Sequence, residues 1–486
     1  MVTNIEESKK NNEEDVRASL NAMLEKQRAS FLITSGATAE ERIDRLSRGV
    51  AMFEKYDQDL VKALAADYGH RSAGQLRVME IYPVISAFKH AIKNVRQWMK
   101  PKKKHLPLTM AISGAKAWIF WQPKGVVGVI SPWNYPINLT FIPVACILSA
   151  GNRAMIKPSR FTPRTSALFG EMIPKYFDET ELACVEPTSD VSRIFSELPF
   201  DHLIFTGSIA VGSQVMKACA DNLVPVTLEL GGKSPTIIGR SANIEQAVWR
   251  TLSGKLPNSG QTCISPDYVF VPEESVDRFV ELVTKVASEI FPTVRSNMEY
   301  TPLINQKQVS RVMRYLKDAE AKGAKILQVN PANEEFAPEV DACISLTMIL
   351  QPTPEMLVMQ EEIFAPLLPV LTYKKIEEVI EYINSRGRPL ALYYFGNDEA
   401  EKDYVLSHTT SGGVTVNGSL LHASTDYLPF GGIGASGIGR YHGYEGFCEF
   451  SHPKPIFELG FVDMNSYTRP PFTEDKVKLV RRILGI

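Results

Sequence analysis

The apolar positions of the chain change period near residue 120. Before it they recur every three or four residues, as with Ile43, Leu46, Val50 and Phe53, then Ile81, Val84, Ile85, Phe88, Ile92, Val95 and Trp98. That spacing puts them on one helical face and predicts long amphipathic helices over 40–69 and 76–100. After it come short apolar runs ended by glycine or proline: "GVVGVISP" (125–132), "NRAMIKP" (152–158), "LACVEP" (182–187), "HLIFTG" (202–207) and "VTLELGG" (226–232). Helix-compatible stretches such as "TPRTSALFGEMIPKYF" lie between several of them. Strands that are apolar throughout are buried on both faces, so a largely parallel sheet covered by helices is expected.

A second series follows, with "SPTIIG", "YVFVP", "AKILQV", "ISLTMIL", "PLLPVLTY", "ALYYFG" and "GGVTVNG", and it predicts a second α/β domain. Between the helices and the first strand lies "KPKKKHLPLTMAISGAKAWIFWQP" (100–123), too rich in proline and β-formers for a helix. With the tail after residue 450 it is expected to form an extended arm reaching another subunit. Its lysine cluster is read as a solvated turn.

A length of 486 residues implies two or three structural units. With 44% hydrophobic and 22% charged residues and a formal net charge of −2, neither a nucleic-acid footprint nor a polybasic membrane anchor is indicated. The amino terminus, "MVTNIEESKKNNEEDVRASL", reads as a flexible lead into a helix rather than a targeting signal. No apolar window of about 18 residues predicts a membrane span. Six cysteines without a CxxC pair, and scattered histidines without HExxH, predict no metal and point to a reducing compartment, the cytoplasm.

Two glycine motifs compete for a dinucleotide. Gly432, Gly434 and Gly437 satisfy GxGxxG, but no strand leads in and no long helix follows, so a close-packed glycine turn is the better reading. In "HLIFTGSIAVGSQVMKACA" (202–220) a strand runs through Gly207 and Ser208 into a helix containing Gly212, the order a phosphate site requires. Tight strand-to-helix packing explains the same glycines.

"NSGQTCISPDY" (258–268) sets Cys263 among small and polar neighbours with no histidine nearby. A free thiol is only a few per cent ionised at neutral pH, so a nucleophilic role requires a base. Glu229 stands 34 residues earlier, at the end of an apolar strand, where burial would raise its pKa toward the working range.

"SPWNYP" (131–136), "KPS" (157–159), "LELGGKSP" (228–235), "GQTC" (260–263) and "EEIFAP" (361–366), with "TGSIAVG" and "PFGGIGASGIGR", form an ordered set that resembles the aldehyde dehydrogenase superfamily from about residue 120 to 450. "LPFGGIGASGIGRYHG" resembles the class 3 branch, and "DYGHRS" (67–72) and "PDY" are similar to coniferyl aldehyde dehydrogenases. The fold implied is α/β: a Rossmann-like NAD(P)-binding domain (1–101 and 122–228), an α/β catalytic domain with Cys263 (229–410), and a small β oligomerisation arm with the C-terminal tail (102–121 and 411–486).

The resemblance implies a chemistry. Cys263 captures the aldehyde as a thiohemiacetal, whose oxyanion is held by Asn134 and the Cys263 backbone N–H. Loss of hydride leaves a thioester, which a water activated by Glu229 hydrolyses. It implies NAD or NADP as cofactor, with Trp133, Lys157, Gly207, Ser208, Gly212, Glu362 and Phe364 around it, and Arg160 where many relatives carry a ribose-binding glutamate. A guanidinium there offers a partner to a 2′-phosphate. The implied partners are a small-molecule aldehyde and a second copy of the chain, as a homodimer, with no nucleic acid and no membrane span. Tyr135, Leu139 and Ile264 are candidates for the pocket wall, and Ser259 and Gly260 are expected to leave room at the sulfur. Transfer of the acyl group to coenzyme A, a long-chain aliphatic substrate, a cysteine hydrolase and a non-catalytic binding protein are the alternatives.

Overall fold

The computed structural model describes residues 2–34, 36–337 and 342–486. Helices Ala39–Asp67 and Tyr82–Trp98 fall where the three-to-four spacing puts them. The first is capped by Thr38, whose hydroxyl accepts from the Glu41 N–H while the Glu41 carboxylate accepts in return. The second is entered through a short turn (Ala73–Leu76) and a π-helical segment (Arg77–Ile81). The amino-terminal segment departs from the flexible lead-in expected of it: a helix runs Val2–Ile33. Leu20, Leu24 and Gln27 share one face of it, and that face is buried, with Gln27 Nε2 donating to Ala154 O at 3.0 Å and Glu179 O at 2.7 Å. Val16 and Met23, partly buried, extend that face against the same core cluster.

Six strands form the first sheet, in the order Gly437–Ile438, Val226–Leu230, His202–Gly207, Val126–Ile130, Arg153–Lys157 and Leu182–Cys184. All pairs are parallel except the first. The chain winds outward from Val126–Ile130 to Leu182–Cys184, then returns to place His202–Gly207 on its other side. This reversal is a topological switch point, and "SPWNYP" and "TGS" both leave the carboxyl ends of the strands that flank it. The crossover helix Asn138–Ser149 is apolar all round because it is buried all round, and Phe53 packs edge-on against its Phe141 with centroids 4.8 Å apart.

The second sheet has seven strands, ordered Lys325–Gln328, Thr347–Leu350, Leu367–Tyr373, Tyr268–Pro272, Pro235–Ile238, Ala391–Phe395 and Gly413–Val416, parallel but for the first pair. The third has three antiparallel strands, Lys102–Lys104, Lys116–Pro123 and Ser451–Glu458. Three expectations change here. Lys102–Lys104 is a strand paired with Ala117–Ile119, its lysines all exposed, rather than a turn. Gly413–Val416, read both in the second apolar series and within the bounds of the arm, pairs in parallel with Ala391–Tyr394 as an edge of the seven-stranded sheet. Gly437–Ile438, assigned to the arm, pairs with Leu228 and Glu229 in the six-stranded sheet.

The GxGxxG segment is a tight antiparallel turn, with Gly434 bridged to Gly437. Gly437 sits at φ +154, and a methyl group there would lie 2.3 Å from Leu228 O, on the strand that carries Glu229. Gly437→Ala is therefore expected to cost about 2–3 kcal/mol of stability through overpacking, read as a lower thermal midpoint.

Candidate active site

Cys263 follows a strained turn. Asn258, Ser259 and Gly260 take φ of 51, 52 and 72, three consecutive left-handed residues of which only the glycine adopts that region without cost. Gly260 is there for closeness too, since a Cβ would meet Ala365 O at 2.6 Å. Side chains hold the turn. Asn258 Nδ2 donates to Asn134 O at 3.1 Å and Gln261 O at 3.2 Å, and Ser259 Oγ donates to Thr301 O. Gln261 Nε2 donates to Asn258 O at 2.9 Å and Pro302 O at 3.1 Å, while Gln261 Oε1 accepts from Ile304 N at 3.0 Å. Ser259 and Gly260 are buried by these contacts, so their small size serves the turn and not open space at the sulfur.

Asn134 is buried in the loop after Val126–Ile130. One N–H of its amide is given to Gln261 O at 3.1 Å, which leaves the second free for another acceptor. Its carbonyl accepts three times, from Arg71 Nη1 at 3.0 Å, Asn258 Nδ2 at 3.1 Å and Tyr68 OH at 3.3 Å. Arg71 also donates to Glu80 Oε1 at 3.1 Å, both side chains being fully buried. Glu80 Oε2 accepts from the N–H groups of Ile137 at 3.1 Å and Asn138 at 2.9 Å, where helix Asn138–Ser149 begins. Burial pushes the Glu80 carboxyl up to about 7 against the pull of Arg71 and those amides. The Arg71 guanidinium lies 4.8 Å from the Tyr135 ring centroid, and Tyr135 OH is 3.1 Å from Thr262 Oγ1.

Behind the cysteine the "LELGGKSP", "PDY" and "EEIFAP" segments are bolted together. Lys233 Nζ donates to Asp267, to Val358 O at 2.7 Å and to Glu361 O at 3.0 Å, and Asp267 Oδ2 accepts from Ile363 N at 2.9 Å. Glu229 is 2% exposed and neither of its carboxylate oxygens has a hydrogen-bond partner. Burial, with Glu449 as a lesser cause, holds it well above the ordinary carboxylate range. The thiol of Cys263, half-buried, is pushed up to about 12, first by desolvation and then by the fields of Glu362 and Glu229.

A cavity of about 560 Å³ opens onto this thiol. Tyr135, Leu139 and Ile264 line it as expected, joined by Met79, Tyr82, Ile142, Leu420, Phe430, Tyr441 and His442. A smaller one of about 260 Å³ is lined by Ile209, Gly231, Gly232 and Glu362. Glu362 packs so closely on Gly231 that a Cβ there would lie 2.0 Å from its Oε2, and its buried Oε1 has no partner. Its carboxyl is pushed up to about 8, by burial and then by Asp267. Trp133 and Phe364 meet edge-to-face at 5.4 Å. Ser208 caps helix Ile209–Ala220, with Gly207 ahead of it, leaving an accessible helix amino terminus. Gly212 is buried, a Cβ there lying 2.5 Å from Leu230 Cδ2, so strand-to-helix packing accounts for it. Lys157, nearly buried, is pushed down to about 8 by desolvation and by Arg160 beyond it.

The model of the aldehyde dehydrogenase family matches residues 2–456 of the chain. The chain belongs to the aldehyde dehydrogenase family. It is similar to a "Probable coniferyl aldehyde dehydrogenase" of Caulobacter vibrioides, 48% identical over 461 residues that span 94% of this chain and 95% of that protein. A "Coniferyl aldehyde dehydrogenase" of a Pseudomonas species is 46% identical over 456 residues, 94% of each chain. The solved structure of a substrate-bound state of Staphylococcus aureus AldH is 33% identical, with a TM-score of 0.89 over 96% of this chain and 99% of that one. The α/β fold expected from the motifs is thus the fold of this aldehyde dehydrogenase.

Arg71, Glu80, Tyr68 and Asn258 were missed as site residues, although "DYGHRS", which contains two of them, stood out as a branch marker. Arg71→Met strands a buried carboxylate and is expected to cost about 3–5 kcal/mol, and to lower kcat about 10- to 100-fold by loosening Asn134. The double variant Arg71→Met/Glu80→Gln is expected to recover part of the stability and little of kcat. Thermal midpoints and steady-state rates of the single and double variants measure this coupling.

Proposed function

We propose that this aldehyde dehydrogenase oxidises a cinnamyl-type aldehyde, such as coniferyl aldehyde, to the free carboxylic acid with NAD or NADP. The observation that carries the reading is a partnerless buried carboxyl, Glu229, close enough to the Cys263 thiol to raise it electrostatically. A buried carboxyl without hydrogen bonds costs stability and is kept where a proton must be held or moved.

In this reading Cys263 Sγ attacks the aldehyde carbon, the S–C bond forms, and the carbonyl π pair moves onto oxygen. That oxygen takes the spare N–H of Asn134 Nδ2 and the Cys263 backbone N–H. The thiol proton passes through water to Glu229. A bound nicotinamide dinucleotide supplies the hydride acceptor. Once that proton has passed on to solvent, Glu229 takes a proton from the water that attacks the acyl carbon and returns it to the departing sulfur as the C–S bond breaks, so that the acid leaves a restored Cys263 thiol. Water as acceptor, rather than coenzyme A, is supported by the presence of this base, and a cysteine hydrolase would reduce no cofactor.

The residues present fit the dinucleotide. Gly207 and Ser208 offer a helix amino terminus to its pyrophosphate, the partnerless Glu362 oxygen a hydrogen bond to a ribose, and Trp133 with Phe364 an aromatic wall. Lys157 and Arg160 form a cationic pair for the other ribose, and Arg160 meets no carboxylate among the described residues. This supports NADP being used at least as well as NAD. The division of labour we propose gives the six-stranded sheet to cofactor binding and the seven-stranded sheet to Cys263. An assembly as a homodimer is supported by the exposed Phe120 and Phe457 on the three-stranded sheet, and light scattering tests it. A cytoplasmic setting is supported by six free cysteines. No helix among the described residues is long and apolar enough to cross a membrane.

An aldehyde panel run with both cofactors tests the class, the substrate and Arg160 together. Coniferyl or cinnamyl aldehyde is expected to give the highest kcat/KM, and Arg160→Glu to move the NADP-to-NAD ratio toward NAD by about tenfold or more. A strong NAD preference untouched by that change would refute the cofactor assignment. Cys263→Ala is expected to abolish turnover while dinucleotide binding, followed by protein fluorescence, persists.

A further inference from the structure

The proposed chemistry uses the Cys263 wall of the cavity and leaves its mouth without a role. There, helix Tyr82–Trp98 contributes Tyr82, 52% exposed, and Ser86, and the segment after the turn Leu421–Ala423 contributes Asp426 beside an exposed Tyr427. Asp426 is the one carboxylate among the cavity-lining residues. Its Oδ2 accepts from Ser86 Oγ at 3.3 Å, and Oδ1 has no partner among the described residues. A carboxylate offers about four acceptor positions, so most of its capacity is unused.

Its placement is fixed by the backbone. A Cβ on Gly443 would lie 2.0 Å from Asp426 O, so the segment packs hard against the residue that follows His442, itself part of the cavity wall. His90 lies behind it, edge-on to Tyr427 at 4.8 Å, and draws the carboxyl down while half-burial pushes it up. The cavity that thiol and carboxylate share is lined by aromatic and aliphatic side chains, Tyr135, Leu139, Ile142 and Phe430 among them, which suit a flat aryl group rather than a flexible cationic chain.

We propose that Asp426 accepts a hydrogen bond from a phenolic hydroxyl at the end of the substrate remote from its aldehyde, and so selects 4-hydroxyaryl aldehydes over unhydroxylated ones. The assignment rests on the reading that this cavity takes a cinnamyl-type aldehyde. Asp426 acts through substrate binding, with no part in the chemistry at Cys263.

The test compares kcat/KM for 4-hydroxycinnamaldehyde and cinnamaldehyde in wild type, Asp426→Ala and Asp426→Asn. A hydrogen bond to a charged acceptor is worth about tenfold or more. Asp426→Ala is expected to lose about that factor with the hydroxylated substrate, through KM, and less than about twofold with cinnamaldehyde. Asp426→Asn, which keeps an acceptor oxygen, should fall between. The ratio of the two substrates within one variant is independent of how much of it folds. Equal losses on both substrates, no loss on either, or a selective loss on an aminoaldehyde would overturn the assignment. If wild type oxidises other aldehydes but neither cinnamaldehyde, the substrate reading itself fails. If it oxidises both and the ratio is unmoved, only Asp426 is wrongly assigned.

Discussion

The buried ion pair of Arg71 and Glu80 is the interaction on which the site's geometry depends. Two fully buried charges are expensive to desolvate, and their attraction alone rarely repays that cost. Here the remaining valences are spent on one loop: Arg71 donates to Asn134 O, and Glu80 accepts from Ile137 and Asn138. The pair thus fixes the loop's backbone at three points, and through Asn134 O it reaches Asn258 and the turn that presents Cys263. Arg71, in the loop after Ala39–Asp67, and Glu80, in Arg77–Ile81, thus tie the amino-terminal segment to the loop of Asn134, so that this segment is not only a cover for the sheet.

A second constraint is electrostatic. Glu229 and Glu362 both raise the thiol, and burial raises both of them. A carboxyl raised in this way is a stronger proton acceptor when ionised and a proton donor when neutral, and its neutral form spares the thiol the repulsion that an ionised one adds. Strain in the Asn258–Gly260 turn and partnerless carboxyl oxygens are costs of the same kind, concentrated within one site and supported by the dense hydrogen bonding around it.

Most strands of the two large sheets were legible because they are buried along their length and read as continuous apolar runs, unlike the partly exposed edges Lys325–Gln328, Gly413–Val416 and Gly437–Ile438. Cys263 stood out as a candidate because "NSGQTC" is local, but the left-handed turn that carries it did not, and its small residues read as open space. What escaped depends on distant pairing. Nothing near Gly413 tells which strand it will meet, nor near Lys102 that it will pair with Ile119. Arg71 and Glu80 escaped for a similar reason: a charged residue in a loop or on a helix face is nearly always solvated, and only the return of the chain at residues 134–138 buries this pair. Gly212 carried two meanings in sequence, and only the position of Leu230 separates them.

In the reading proposed above, Lys157 and Arg160 prepare this surface for an anion. Lys157 is pushed down to about 8, so its charged form is disfavoured in the folded protein. A cation whose folded pKa lies below its unfolded value costs stability that is absent above about pH 10.5, appears as pH falls toward 8, and is present in full below it. At neutral pH the empty protein therefore carries this cost, with Arg160 adding to it and no carboxylate among the described residues relieving either. A phosphate seated between the two cations removes the repulsion and restores Lys157 toward its ordinary range. The differential between bound and empty states becomes affinity, and it grows with the charge of the anion, which favours a 2′-phosphate over a bare hydroxyl at this end of the site.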